Sequence, residues 1–201
     1  MTELTGGHRN ALIEATVAEF ATAGYEGASL NRIIRAAGIS KSSFYHAVSS
    51  KAELFDAVVD SLIADVRERW QSPAPHDFSG DAFWPRVDGV LDDLGVLAAA
   101  DPAVGMLGRI FYLPASGESD SRTRMLEGVR TWVGEVLRIG VASGAVRDDI
   151  DPAALGAAVF GMLRGLDEWA VTGAADPASA SAVPGILLRA LLTPPAAAGE
   201  F

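Results

Sequence analysis

Between positions 41 and 46 the chain gathers Lys41, Ser42, Ser43, Tyr45 and His46 around one apolar side chain, Phe44. On a helix, a rotation of about 100° per residue puts Ser42 and His46 opposite Phe44, with Ser43 and Tyr45 on the flanks and Lys41 near the edge. Short hydroxyls, an imidazole and an ammonium are groups that meet base edges and phosphate oxygens. A helix with this face suits the major groove, although the same residues also fit an ordinary solvated surface. The charge pattern favours the first reading. From Gly27 to Ala52 there is no Asp or Glu, yet Arg32, Arg35, Lys41 and Lys51 are present, in a chain with 26 acids among 201 residues. A basic stretch on an acidic chain is the electrostatic footprint of phosphate contact.

Other chemistry finds little support. His8, His46 and His76 are far apart and form no His-x-x-x-His pair, so no metal site is expected. The absence of Cys excludes disulfides, thiolate catalysis and Cys-based metal sites. No Gly-x-Ser-x-Gly elbow and no Gly-rich phosphate loop occur. Asp92-Asp93, Asp148-Asp149 and Asp167-Glu168 are adjacent acids, which point about 100° apart on a helix and read as solvated faces. The expectation is no catalytic residue, no metal, no cofactor and no enzyme.

The elements that must position the 41–46 group can be read on either side of it. Ser29 suits an N-cap before Leu30, Ile33, Ile34 and Ala37, which share one helical face. Gly38 suits the left-handed residue that ends a helix, and Ser40 caps the next one, in which Phe44 and Val48 point the same way. Two short helices joined by so tight a turn make a helix-turn-helix. An earlier helix runs from about His8 to Ala23, with Ile13, Val17 and Phe20 on one face and Gly24 closing it. Ser50-Lys51-Ala52-Glu53 is a capping box that opens a long helix over 50–70. Leu54, Val58, Leu62, Val66 and Trp70 form one row on it and Phe55, Val59 and Ile63 a second, so it must touch two surfaces at once.

Residues from about Ile13 to Leu62 resemble the DNA-binding domain of the TetR family of transcriptional regulators. The likeness is carried by Ala23-Gly24-Tyr25, Ser29, Ile33, the run Ala37-Gly38-Ile39-Ser40-Lys41-Ser42-Ser43-Phe44-Tyr45, and Ser50-Lys51-Ala52-Glu53-Leu54. It departs from the family pattern at Ile34, where Ala is usual, at Val48, where an aromatic is usual, and at Ser49, which is often Pro. The resemblance implies an all-α fold of about nine helices, with a helix-turn-helix head over 1–52 and a ligand-binding and dimerisation domain over 53–193. It implies DNA contacts from Ser29, Ser40, Lys41, Ser42, Ser43, Tyr45, His46 and Lys51. Among these, Lys41, Lys51 and the Tyr45 hydroxyl are expected on phosphates, and Ser42, Ser43 and His46 on bases.

Beyond residue 70 the sequence offers boundaries rather than motifs. Ser72-Pro73-Ala74-Pro75 opens a loop to about Asp81, and a helix follows over 82–99 with Val87, Leu91, Leu94 and Leu97 inward. Asp-Pro-Ala at 101, 151 and 176 is a strong helix start, giving helices at 102–113, 152–171 and within 177–193, with another at 120–142. Pro184 either kinks the last helix or moves its start to about Val183. Residues 194–201 read as a disordered tail. The aromatics of this half suit an apolar pocket, and by the family resemblance Trp84, Phe111, Tyr112 and Trp132 are the ligand-binding candidates; Arg109, on the helix of Phe111, is either a polar contact there or a surface residue. Gly156, Gly161 and Gly165 sit inside a helix, where glycine costs about 1 kcal/mol relative to Ala, so close helix packing is implied. That packing is either intrachain or, as in the family, a four-helix dimer contact from Leu155, Val159, Gly161, Met162, Leu166, Leu187 and Leu191.

Composition bounds the rest. A hydrophobic content of 49% supports a sizeable core. The net charge of −10 divides into +1 for residues 1–51 and −11 for the remainder, so the acidic part should stay away from a phosphate backbone. No secretory signal and no membrane-length apolar run is expected, and the location is expected to be cytoplasmic. The reading is a homodimeric, ligand-responsive regulator of a palindromic operator, with double-stranded DNA and a small molecule as partners. A helical small-molecule-binding protein, enzyme or scaffold without DNA binding is the competing one.

Overall fold

A computed structural model describes residues 6–111, 120–171 and 177–195. Among these residues there are nine α-helices and no strands: α1 Gly6–Gly27, α2 Leu30–Ala36, α3 Lys41–Ala47, α4 Lys51–Arg69, α5 Phe83–Ala100, α6 Pro102–Phe111, α7 Asp120–Ala142, α8 Pro152–Val171 and α9 Pro177–Leu192. Two short 3-10 turns lie between α4 and α5, at Pro75–Asp77 and Gly80–Ala82. The expected all-α fold is present. The last helix starts at Pro177 and runs through Pro184 rather than starting at Val183. Asp176 and residues 196–201 lie outside the described residues.

The chain forms two compact units. The first comprises Met1–Trp70 and Asp101–Met125, so α4 and α6 pack with the head. Its core joins Leu12, Val17 and Phe20 of α1, Ile33 and Ile34 of α2, Phe44 of α3, and Leu54, Val58 and Leu62 of α4. Phe55, Val59 and Ile63 are buried as well, so both apolar rows of α4 are covered as far as Ile63, with Val66 and Trp70 half-buried beyond. Ile34 fits inside this core at 4% exposure, and Val48 keeps a buried role at 2%. Asp101 starts α6 as expected, accepting from the Ala103 N–H at 2.9 Å, and pairs with Arg69 at the end of α4.

The second unit comprises Gln71–Ala100 and Leu126–Phe201. Phe78, Phe83, Val133, Val136, Leu137, Val146, Leu155, Val159, Leu188 and Leu192 form its core. Only the first half of α5 packs on this core, through Trp84, Val87, Val90 and Leu91. Leu94, expected inward, is instead an exposed side chain, because it lies beyond the stretch of α5 that the core covers. Asp88 of α5 receives both guanidinium nitrogens of Arg189 of α9, at 2.8 and 2.6 Å, and that guanidinium lies 4.7 Å from the Trp84 ring centroid.

Gly140 is the tightest point of this core. A β-carbon there would sit 2.5 Å from the Phe83 ring and 2.6 Å from a Val146 methyl. Helix propensity favours Gly140→Ala by about 1 kcal/mol, whereas forcing a methyl into a filled core costs about 1–3 kcal/mol. The contact distances are short enough for the second effect to win. Gly140→Ala is therefore expected to lower the denaturation midpoint, and a raised midpoint would show that Phe83 moves aside freely.

Candidate nucleic-acid interface

The helix-turn-helix is built by local backbone chemistry. Gly38 has φ +66°, and the turn closes with Gly38 N–H to the Arg35 carbonyl and Ile39 N–H to the Ile34 carbonyl, each 3.3 Å. This pair of bonds ends α2 and requires the left-handed residue that glycine supplies. Ser40 then caps α3: its hydroxyl accepts from the Ser43 N–H at 3.0 Å and shares a 2.8 Å hydrogen bond with the Ser43 hydroxyl. Phe44 seats the helix, being wholly buried, and the Tyr45 ring lies edge-on to it at 5.2 Å between centroids.

The expected reading face is therefore outward. Lys41, Ser42, Ser43, Tyr45 and His46 are all exposed, Tyr45 at 51%. Ser40 is also exposed, with its hydroxyl engaged as the cap. α4 begins just beyond, where the Ser50 hydroxyl accepts from the Glu53 N–H at 3.1 Å. The Glu53 carboxylate reaches back to Ser49, accepting its N–H at 2.8 Å and its hydroxyl, one residue earlier than a reciprocal capping box would place it. Both bonds from Ser49 favour the ionised form and lower the Glu53 pKa from the ordinary carboxylate value.

Other charges of the head are paired at the corner between α1 and α2. Within α1 the chain breaks helical geometry at Gly24, φ +68° and ψ 174°, and then makes one further turn to Gly27. Ser29 holds the N-cap position of α2, but its hydroxyl makes no capping bond. Its N–H donates to Glu19 Oε1 at 2.8 Å instead, and the same oxygen accepts from Arg32 at 2.8 and 2.5 Å. Arg32 also donates to the Gly27 carbonyl at 2.8 Å. The Arg32 guanidinium holds the Glu19 carboxyl below its ordinary pKa, helped by the Ser29 N–H and opposed by burial. A carboxyl lowered in the folded state stabilises above the unfolded-state pKa. That contribution fades as pH falls through the folded-state value.

Lys51, expected on phosphate, has its ammonium under this corner. It donates to the carbonyls of Tyr25 at 2.7 Å, Glu26 at 3.1 Å and Ala28 at 3.5 Å, and lies 4.9 Å from the Tyr25 ring centroid. Tyr25 in turn stacks on Phe20 and meets Phe55 edge-on, each at 5.6 Å. Arg9 is also tied, donating to the buried Ser61 of α4 at 2.6 Å. Glu19 is thus an important residue that reading along the sequence did not single out; its partners lie ten or more positions away, beyond any local spacing rule.

Elsewhere, two of the expected ligand-binding residues pack on one core, linked by Phe83 and Phe78. Trp132 is packed on the second unit's core, its indole N–H donating to the Pro73 carbonyl at 2.9 Å and its ring 5.5 Å from Phe78. Trp84 is half-buried under Arg189. The side chains of Arg109 and Phe111, on α6, and the whole of Tyr112 lie outside the described residues. Leu155 and Val159 are corrected from a subunit contact to the chain's own core: each is 2% exposed and already surrounded. Gly161 is exposed, Met162, Leu166 and Leu191 are half-buried, and Leu187 is 38% exposed. Among the described residues no cluster of His, Asp and Glu could hold a metal ion, and no helix is long and apolar enough to cross a membrane.

Residues 12–58 match the sequence model of the bacterial regulatory proteins of the tetR family. No curated protein matches the chain in sequence. Among solved structures, FadR from Bacillus subtilis, in complex with stearoyl-CoA, superposes with a TM-score of 0.61 at 15% identity, over 92% of this chain and 97% of that one. NalD, the secondary repressor of the MexAB-OprM multidrug efflux pump in Pseudomonas aeruginosa, gives 0.64 at 17%, over 92% and 96%. A TetR family transcriptional regulator from Chloroflexus aurantiacus gives 0.62 at 24%, over 94% and 88%. Segment 12–58 is therefore similar in sequence to the tetR family, and the chain has the fold of the TetR-family structures on which it superposes.

Proposed function

We propose that this protein is a ligand-responsive transcriptional repressor that binds a palindromic operator as a homodimer in the cytoplasm and is released by a small molecule. The observation that carries the reading is α3: a helix capped by Ser40 and anchored by Phe44, with every hydrogen-bonding side chain facing out on a stretch without acids. Residues 1–52 would read DNA, and residues 53–193 would bind the effector and pair the subunits. A repressor and an acyl-CoA complex among proteins of the same fold support regulation by a small molecule.

Pairing through α8 and α9 has its own support. A β-carbon at Gly156, Gly161 or Gly165 would meet nothing within 4 Å, so packing among the described residues gives no reason for glycine there. On α9, Ile186 is 64% exposed. A second copy brought close against the outward glycines and this leucine-isoleucine surface would bury both. Two heads on a two-fold axis then demand two half-sites.

The test is selection from a random duplex pool. The wild-type protein should enrich a near-palindromic sequence. His46→Ala should then relax preference at one or two positions per half-site, each worth about 1–3 kcal/mol. Enrichment of no duplex would sink the DNA-reading proposal. Uniform loss at all positions would move His46 from base reading to backbone contact.

A further inference from the structure

We propose that Lys51 is a positioning residue of the DNA-reading head, which holds the α1–α2 corner in register, and that it is not a phosphate contact. The inference rests on the DNA-reading function proposed above.

The geometry starts with the backbone groups that the corner leaves unpaired. Gly24 interrupts α1, and the last carbonyls of a helix have no partner within it. In a helix that continued, the Tyr25 carbonyl would accept from the Ser29 N–H, but that N–H goes to Glu19. The Tyr25 carbonyl is left for Lys51, which takes it at 2.7 Å, with the Glu26 carbonyl at 3.1 Å and a long third bond to Ala28 at 3.5 Å. An ammonium has three N–H donors, so these three carbonyls use all of them. The Gly27 carbonyl, between them in sequence, goes to Arg32 at 2.8 Å. Every one of the carbonyls from Tyr25 to Ala28 is thus met by a cationic side chain, three by Lys51 and one by Arg32.

The consequence for reading DNA is mechanical. Lys51 is the first residue of α4, one position after its Ser50 cap. It ties the start of α4 to the end of α1, and the chain between those two points is α2, the turn and α3. The loop that carries the reading helix is thereby closed at its base. The Tyr25–Phe20–Phe55 aromatic cluster, with Phe20 and Phe55 at 5.1 Å, holds the same joint from the apolar side. Arg35 and Lys41 remain as exposed bases of the motif without an ion-pair partner among the described residues, and they are the phosphate-contacting candidates.

The test uses full-length protein and a duplex enriched by the wild type from the random pool. Lys51→Met keeps the stem over Tyr25 and removes the ammonium. The expected result is weaker binding, by several-fold or more, with the slope of log affinity against log salt unchanged, together with faster amide exchange at Ala28 and Ser29. Lys51→Arg, which keeps donors and charge, should restore slow exchange. Lys41→Ala is the control and should lower the slope by about 1.8, one contact in each of two heads, with corner exchange unaltered. A Lys51→Met slope lowered by about 1.8 with exchange as in wild type would overturn the proposal and return Lys51 to the phosphates. Unchanged affinity and exchange would overturn it too. If Lys51→Met does not fold, Lys51→Gln decides: a positioning role predicts an unchanged slope, and a phosphate role a lowered one. If no duplex is enriched, the DNA-reading function fails first, and the exchange measurements alone still judge the corner.

Discussion

Phe44→Ala is expected to abolish DNA binding by unseating α3 rather than by removing a contact. Phe44 is wholly buried, and truncating a core aromatic to Ala costs about 3–5 kcal/mol. Stabilities of natural domains are about 5–15 kcal/mol, so this loss is a large share of the total. A denaturant titration should show the midpoint falling sharply, and binding to the selected duplex should fall with it. The adjacent Tyr45→Ala is the counterpart. Tyr45 is 51% exposed, so its removal should move stability by less than about 1 kcal/mol while still weakening binding. If Phe44→Ala bound DNA normally, α3 would not be the reading helix. If Tyr45→Ala bound normally, the phenol would not face the backbone.

These two neighbours show what could be read from the sequence alone. The inward and outward faces of α3 follow from period and residue type, and so does the start of α8, marked by Asp151-Pro152-Ala153. Pairing across distance was not legible. Ser29 has the right residue type for a cap and sits at the right place, yet a carboxylate ten positions earlier takes the backbone N–H. Lys51 lies in the acid-free run and reads as a free cation until the α1 carbonyls are seen beneath it. Leu155 and Val159 read as one face of an apolar helix, and period cannot say whether that face meets its own chain or another. Leu94 continues the periodic row of α5 past the point where the core ends. Each miss has one cause: spacing identifies a face, and only tertiary structure supplies its partner.

The second large effect is expected at Gly161. Under the proposed pairing, wild-type protein should sediment as a dimer at micromolar concentration. Gly161→Leu should place a branched side chain where two helices approach, and the protein should sediment as a monomer with little affinity for a two-half-site duplex. Gly161→Ala separates this from a folding defect. Nothing lies within 4 Å of the added carbon in the chain itself, so helix propensity should raise the stability of the isolated subunit by about 1 kcal/mol. A wild-type monomer would remove the pairing, and a dimeric Gly161→Leu would move it to another face.

The internal pairing of the head's charges also bears on how such a protein finds its site in a genome. Arg32 is neutralised by Glu19, Arg9 is tied to Ser61 and Lys51 lies under the corner, while Arg35 and Lys41 remain outward on the motif. Two phosphates per head correspond to a salt exponent of roughly −4 for a pair of heads, well short of what many phosphate contacts give. Binding to random DNA, which draws on that term, is then weak and brief. Search would proceed by frequent excursions through solution more than by long one-dimensional sliding. Yet an exponent near −4 still loosens the true site about sixteen-fold for each doubling of salt, so its occupancy would follow a cell's internal potassium.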